Sequence, residues 1–110
     1  AGAGGAVYYI LSGGPARSSN LCQAYTVARQ NCKAIEACAA LLESAPEDRE
    51  AANNLDKAKA RLYDEALAGI KANTSASLSK AREDLECIFA SDSSYRDVRT
   101  LLEQVKTRQA

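Results

Sequence analysis

The apolar residues of this chain recur at intervals of three and four from residue 21 to residue 105, and nowhere do they alternate. A spacing of that kind confines the chain to helices. It puts every apolar side chain on one face of a 3.6-residue turn, whereas a half-buried strand needs period two. Five stripes follow in order. They are Leu21, Ala24, Tyr25 and Ala28; Ala34, Ile35, Cys38, Leu41 and Leu42; Leu55, Ala58, Leu62, Ala66 and Ile70; Leu78, Ala81, Leu85, Ile88 and Phe89; and Tyr95, Val98, Leu101, Leu102 and Val105.

The breaks between stripes carry turn chemistry. Ser12-Gly13-Gly14-Pro15 reads as a linker, after which Ser18 or Ser19 caps the first helix. Arg29-Gln30-Asn31 is a short turn, and the second helix runs over about 32–44. Pro46 stops that helix and starts the next, because proline suits a first turn and not an interior. Glu47, Asp48 and Glu50 then sit where the helix dipole favours acids. The third helix is long, over about 47–72, with Gly69 as its one weak interior residue at a cost of about 1 kcal/mol. Asn73-Thr74-Ser75 starts the fourth helix, and Ser93 or Ser94 caps the last.

A chain of 110 residues supports one domain with a modest core. Apolar residues make up 46%, with one Phe and no Trp, so the core must be built from Ala, Leu, Ile, Val and Cys at close helix spacing. The 14 basic and 14 acidic residues are intermixed, which argues against the concentrated basic face of a nucleic-acid binder. The uncharged stretch Ala1–Leu11 is too short to span a bilayer, which needs about 20 residues. It reads either as the end of a membrane anchor, with Tyr8 and Tyr9 at the interface, or as a flexible Gly/Ala leader. Residues 1–17 are therefore expected to stand apart from a helical domain over 18–110.

There is no His, and none of Cys22, Cys32, Cys38 and Cys87 has metal-ligand spacing, so neither a metal site nor a Cys-His or Ser-His-Asp device is expected. The acid pairs Asp64-Glu65 and Glu83-Asp84 read as surface charge. No cofactor motif is present, and the chain is expected not to be an enzyme. The cysteines read as small buried hydrophobes or, in an oxidising space, as disulfides. In the second case Cys22 and Cys38 are the expected pair. A hairpin turning near Gln30-Asn31 brings residues equally far from the turn face to face.

Asn20-Leu21 recurs thirty-four residues on as Asn54-Leu55, and Leu21, Cys22, Tyr25, Ala34, Cys38, Leu41 and Pro46 lie between or before them at fixed steps. This spacing resembles the tetratricopeptide repeat, a helix-turn-helix packing unit. Cys22 stands where Gly is usual, and Leu41 where Ala is usual. A second unit opens at Asn54-Leu55, with Asp56 and Lys59 in place of the small residue and Tyr, and closes through Ala81, Leu85, Ile88 and Ser93. The step from Ala34 to Ala81 exceeds one period, which implies a lengthened third helix. A rival register would place the turn at Tyr63-Asp64-Glu65-Ala66.

The resemblance implies an all-α stack of antiparallel helical hairpins, about two repeats with a terminal capping helix. It also implies a concave groove lined by the first helix of each hairpin. Here that groove would draw on Ser19, Asn20, Gln23, Thr26 and Val27, then on Asn53, Asn54, Lys57 and Arg61. Asn20 and Asn54 match an Asn that binds peptide backbone or a terminal carboxylate in some members. Lys57 and Arg61, four apart on one face, suit a carboxylate or pair with Glu50, Asp56 or Glu65. The expectation is a non-catalytic scaffold or adaptor binding a protein or peptide, as the extracytoplasmic part of a membrane-tethered bacterial protein. The alternative is a structural assembly subunit that packs, and oligomerises, through its leader or terminal helix.

Overall fold

Every apolar stripe becomes a helix. In the computed structural model the backbone is described for residues 14–110 and the side chains for residues 21–110. Five helices follow in order: α1 (Gly14–Val27), α2 (Asn31–Ser44), α3 (Arg49–Ala72), α4 (Ser75–Ser91) and α5 (Val98–Gln109). The described residues form no strand. The leader Ala1–Leu11 and the side chain of Asn20 lie outside the described residues.

Consecutive helices pack against one another, α1 also touches α3, and α2 also touches α4. The result is two stacked antiparallel hairpins closed by α5. The long α3 is continuous through Tyr63-Asp64-Glu65-Ala66, so the rival register is not adopted.

Local chemistry sets the helix ends, and several lie away from the expected positions. α1 begins at Gly14, before Ser18 and Ser19, because Pro15 is tolerated in a first turn whose N–H groups have no helical partner. Pro46 sits in the turn after α2, and Asp48 caps α3 by accepting a hydrogen bond from the Ala51 N–H at 3.0 Å. Asn73, at φ 55°, closes α3 with its N–H on the Gly69 carbonyl. Thr74 and Ser77 then cap α4 reciprocally, each side-chain oxygen accepting from the other's N–H. α5 starts only at Val98, leaving Tyr95 outside it. Asp92 draws in the Ser94 N–H and hydroxyl, so neither Ser93 nor Ser94 becomes the cap, and Asp97 takes that position.

The main core joins Ala34 and Ile35 of α2 to Ala58, Leu62, Ala66 and Ile70 of α3, Leu78, Ala81, Leu85 and Ile88 of α4, and Val98, Leu101, Leu102 and Val105 of α5. A smaller cluster, Cys22, Cys38, Leu41 and Ala51, holds α1 to α2 and α3. Gly69 lies where α4 crosses α3. A Cβ there would stand 2.8 Å from the Ser77 carbonyl oxygen and 3.2 Å from the Ala81 Cβ, so glycine permits the approach.

α1 departs most from expectation. Cys22 and Thr26 are buried and Tyr25 half-buried, while Leu21, Ala24 and Ala28 are exposed. The helix is turned by about one residue because a Cys22–Cys38 disulfide fixes Cys22 against α2. Thr26 accompanies it inward, satisfied by donating its hydroxyl to the Cys22 carbonyl at 2.8 Å.

A second disulfide joins Cys32 to Cys87 across the two hairpins, with 5.9 Å between Cα atoms. No cysteine is free. α2 therefore carries one bond to α1 and another to α4.

Candidate functional site

The residues expected to line a groove on α1 and α3 divide into two groups. Gln23, Asn53 and Lys57 are exposed. Asn54 and Arg61 are half-buried and turned toward α1. The Asn54 amide lies 3.9 Å from the Cys22 sulfur. The Arg61 guanidinium donates to the Thr26 carbonyl at 2.8 Å, close to the end of α1, where free carbonyls and the helix dipole favour a cation. Among the described residues the ion pairs are Lys59–Asp92, Lys80–Asp84 and Arg82–Glu86, so neither Lys57 nor Arg61 joins Glu50, Asp56 or Glu65. Thr26 is buried and Val27 is 76% exposed.

Two charged residues lie inside the fold. Lys59, 8% exposed, bonds Asp92 at 3.3 Å and rests over the Tyr95 ring at 5.6 Å. Around it Tyr63 donates its hydroxyl to Asp97, meets Tyr95 edge-on at 6.1 Å, and receives the Arg96 guanidinium over its ring at 4.8 Å. These contacts brace the α4–α5 junction against α3.

Asp84 is 3% exposed, which corrects its reading as surface charge. It falls on the inward stripe with Ala81, Leu85 and Ile88, and Lys80 one turn earlier reaches its Oδ1 at 2.7 Å. Burial pushes the Asp84 carboxyl upward while Lys80 works against that shift. The other three acids, Asp64, Glu65 and Glu83, are exposed.

No family model, curated protein or solved structure matches the chain.

Three of the hollows on the described surface bear on function. One, of about 420 Å³, opens between α2 and α4. Ile35, Ala39, Ala40 and Ala90 give it an apolar lining, Cys32 and Cys87 contribute to its wall, and Glu36 and Glu43 are its charged residues. A smaller polar hollow of about 230 Å³ lies under the α1–α2 turn against α3 and α4. The third, about 440 Å³ and shallow, is lined by Gln23, Ala24, Val27 and Ala28 of α1 alone.

The α2–α4 hollow was not legible from the expected groove, because it lies on the second helices of the hairpins. Its signal in the sequence is the half-buried Ala39 with the exposed Ala40 and Ala90, beside acids at 36 and 43. Among the described residues no three of His, Cys, Asp and Glu are placed to hold a metal ion. No described helix is long and apolar enough to cross a membrane.

Proposed function

We propose that this domain is a non-catalytic, tetratricopeptide-like adaptor that docks a protein segment in the hollow between α2 and α4. The observation that carries the reading is the lining of that hollow. Its apolar lining accepts one small or medium apolar side chain, and its charged residues, Glu36 and Glu43, are both acidic. The segment it suits carries such a side chain flanked by Lys or Arg, which gains by charge complementarity. Support for the repeat reading comes from side-chain bonds that join residues about one period apart: Asn31 to Glu65, Tyr63 to Asp97, Arg61 to Thr26 and Lys59 to Asp92. The two disulfides favour an oxidising, extracytoplasmic space such as a periplasm or cell envelope. The apolar Ala1–Leu11 suits the end of a membrane tether there.

The test uses short fluorescent peptides with one Leu or Val flanked by Lys, beside the same peptides flanked by Glu. The Lys-flanked peptide is expected to bind the oxidised domain, and Ala40→Arg, which fills the hollow, is expected to abolish binding. Equal affinity for both peptides, or binding that survives Ala40→Arg, sinks this reading. Binding lost instead in Lys57→Glu places the peptide on the α1–α3 face of Gln23, Asn53 and Lys57.

A second reading, a structural assembly subunit, is favoured by α1. Leu21 is 43% and Val27 76% exposed on its open apolar face. Sedimentation of the full chain beside Val27→Glu, and beside a form lacking residues 1–14, decides it. An assembly subunit dissociates, whereas an adaptor keeps its state.

A further inference from the structure

The two disulfides differ in what surrounds them. Cys22 and Cys38 are 1% and 0% exposed, closed in with Leu41 and Ala51. Cys32 is exposed and Cys87 half-buried, and both lie on the wall of the hollow between α2 and α4. A thiolate from solvent therefore reaches the Cys32–Cys87 bond in the folded chain, and the Cys22–Cys38 bond only after α1 parts from α2.

The setting of Cys32 favours that attack. It is the second residue of α2, where backbone N–H groups have no helical partner and the helix dipole is positive. Gln30, at the N-cap, makes no side-chain capping bond, and the first turn holds no acid. Arg29 and Lys33 line the same recess as Cys32, while its two acids, Glu65 and Asp84, are engaged by Asn31 and Lys80. These groups draw an incoming thiolate to Cys32 and stabilise negative charge on its sulfur when it leaves. Cys87 has no such support, since it lies in the last two turns of α4 beside Glu86.

The same bond ties together the two walls of the hollow. Past Cys87, α4 contributes only Ala90 and Ser91 to the lining and then ends, whereas α2 runs on to Ser44. Ile35 and Ile88 belong to the main core, so α2 and α4 have packing besides the bond. Cleavage frees the last turn of α4 without dissolving the fold.

We propose that Cys32–Cys87 is a thiol-exchange site for a dithiol, and that its reduction releases the α2–α4 hollow while Cys22–Cys38 stays closed. The loss of docking that follows rests on the function proposed for that hollow. One thiolate of the dithiol attacks Cys32 Sγ and forms a mixed disulfide. The Cys32–Cys87 bond breaks, and Cys87 leaves as a thiolate that takes a proton from water. The second thiol then closes the reductant's own disulfide and releases Cys32. Two electrons and two protons pass from the dithiol to the cysteine pair.

The test treats the oxidised full chain with dithiothreitol under native conditions, quenches samples with iodoacetamide and maps the labelled cysteines by mass spectrometry. Cys32 and Cys87 are expected to label at least about tenfold faster than Cys22 and Cys38. Equal rates, or faster labelling of Cys22 and Cys38, overturn the exchange site. The Lys-flanked peptide is then titrated anaerobically into oxidised chain, into chain reduced at Cys32–Cys87 alone, and into the same chain reoxidised. Affinity is expected to fall at least about tenfold on reduction and to return on reoxidation, with far-UV circular dichroism unchanged. Undiminished affinity in the reduced chain overturns the switch and leaves docking intact. Loss of the helical signal on reduction overturns it as well, because the bond is then a staple of the whole fold. If even the oxidised chain binds no peptide, the docking function fails and amide-resolved NMR decides the switch. Reduction is expected to shift amides as far along α2 as Ala40 and Glu43 of the hollow, and shifts confined to the immediate neighbours of the two cysteines overturn it.

Discussion

Replacing Cys32 and Cys87 together by alanine removes a cross-link between residues 55 apart in the chain. In the chain-entropy account, closing a loop of that length lowers the freedom of the unfolded chain by about 14 cal/mol/K, or about 4 kcal/mol at 25 °C. Packing adds little, because Cys32 is exposed and Cys87 only half-buried. The loss is a large share of the 5–15 kcal/mol that about this size of domain commands. With a urea dependence of about 1.3 kcal/mol/M, the unfolding midpoint should fall by about 3 M. Because the constraint acts on the unfolded state, most of the change should appear as slower refolding, with the unfolding rate nearly unaltered. Equilibrium urea unfolding and stopped-flow chevrons on the oxidised protein and the double variant test this. A loss below about 1 kcal/mol, or a loss carried by faster unfolding, refutes the loop-entropy reasoning. The Cys22–Cys38 pair, 16 apart, gives the comparison: its shorter loop contributes about 3 kcal/mol, and its buried sulfurs add a cavity cost that should appear in the unfolding rate.

Four further outcomes are expected. Gly69→Ala gains about 1 kcal/mol of helix propensity but drives a methyl against the Ser77 carbonyl, so thermal melts should show a net loss of about 1–2 kcal/mol, and a gain would refute the close crossing. Arg61→Ala should lose about 1 kcal/mol by freeing the Thr26 carbonyl, while Lys57→Ala stays within about 0.5 kcal/mol in the same urea melts. Asp92 is pushed up by burial, but bonds from Ser94 and Lys59 outweigh this and hold it below the ordinary carboxylate range. Its stabilisation is thus complete above the unfolded pKa and lost as pH falls through the lower folded value, so Asp92→Asn should be weaker at neutral pH and less sensitive to acid. Tyr63 is raised by its bond to Asp97 and then by burial, so ultraviolet titration should show a late-ionising component, and Tyr63→Phe should remove it.

The helices were legible because their apolar stripes are regular, and the inward faces of α2 and α3 fall as the spacing predicts. The face of α1 is not fixed by spacing, because Leu21, Ala24 and Ala28 make as good a stripe as Cys22, Tyr25 and Thr26. Only the bond to Cys38 decides which one turns inward. Lys59 and Asp84 occupy stripe positions, but their charge argues for the surface until their partners are known. Lys80, one turn away, was a visible clue for Asp84, whereas Asp92 lies 33 residues from Lys59. Pairing Cys22 with Cys38 followed from the symmetry of a single hairpin. Cys32 and Cys87 sit on different hairpins, and that symmetry does not relate them. The α2–α4 hollow is not legible in the sequence for a similar reason, since alanines on two separate helices form a surface only when the hairpins stack.

The two disulfides interleave along the chain, since Cys32 lies between Cys22 and Cys38 while Cys87 lies beyond both. Their spans overlap over residues 32–38 and together cover every peptide bond from Cys22 to Cys87. A single proteolytic cut anywhere in that interval leaves one covalent molecule, with both halves still linked and the helices still paired. A nicked chain would run at full mass on a non-reducing gel and separate only after reduction. In an environment rich in proteases, this gives the domain a tolerance for backbone damage that a chain with two consecutive, non-overlapping bridges would lack between them.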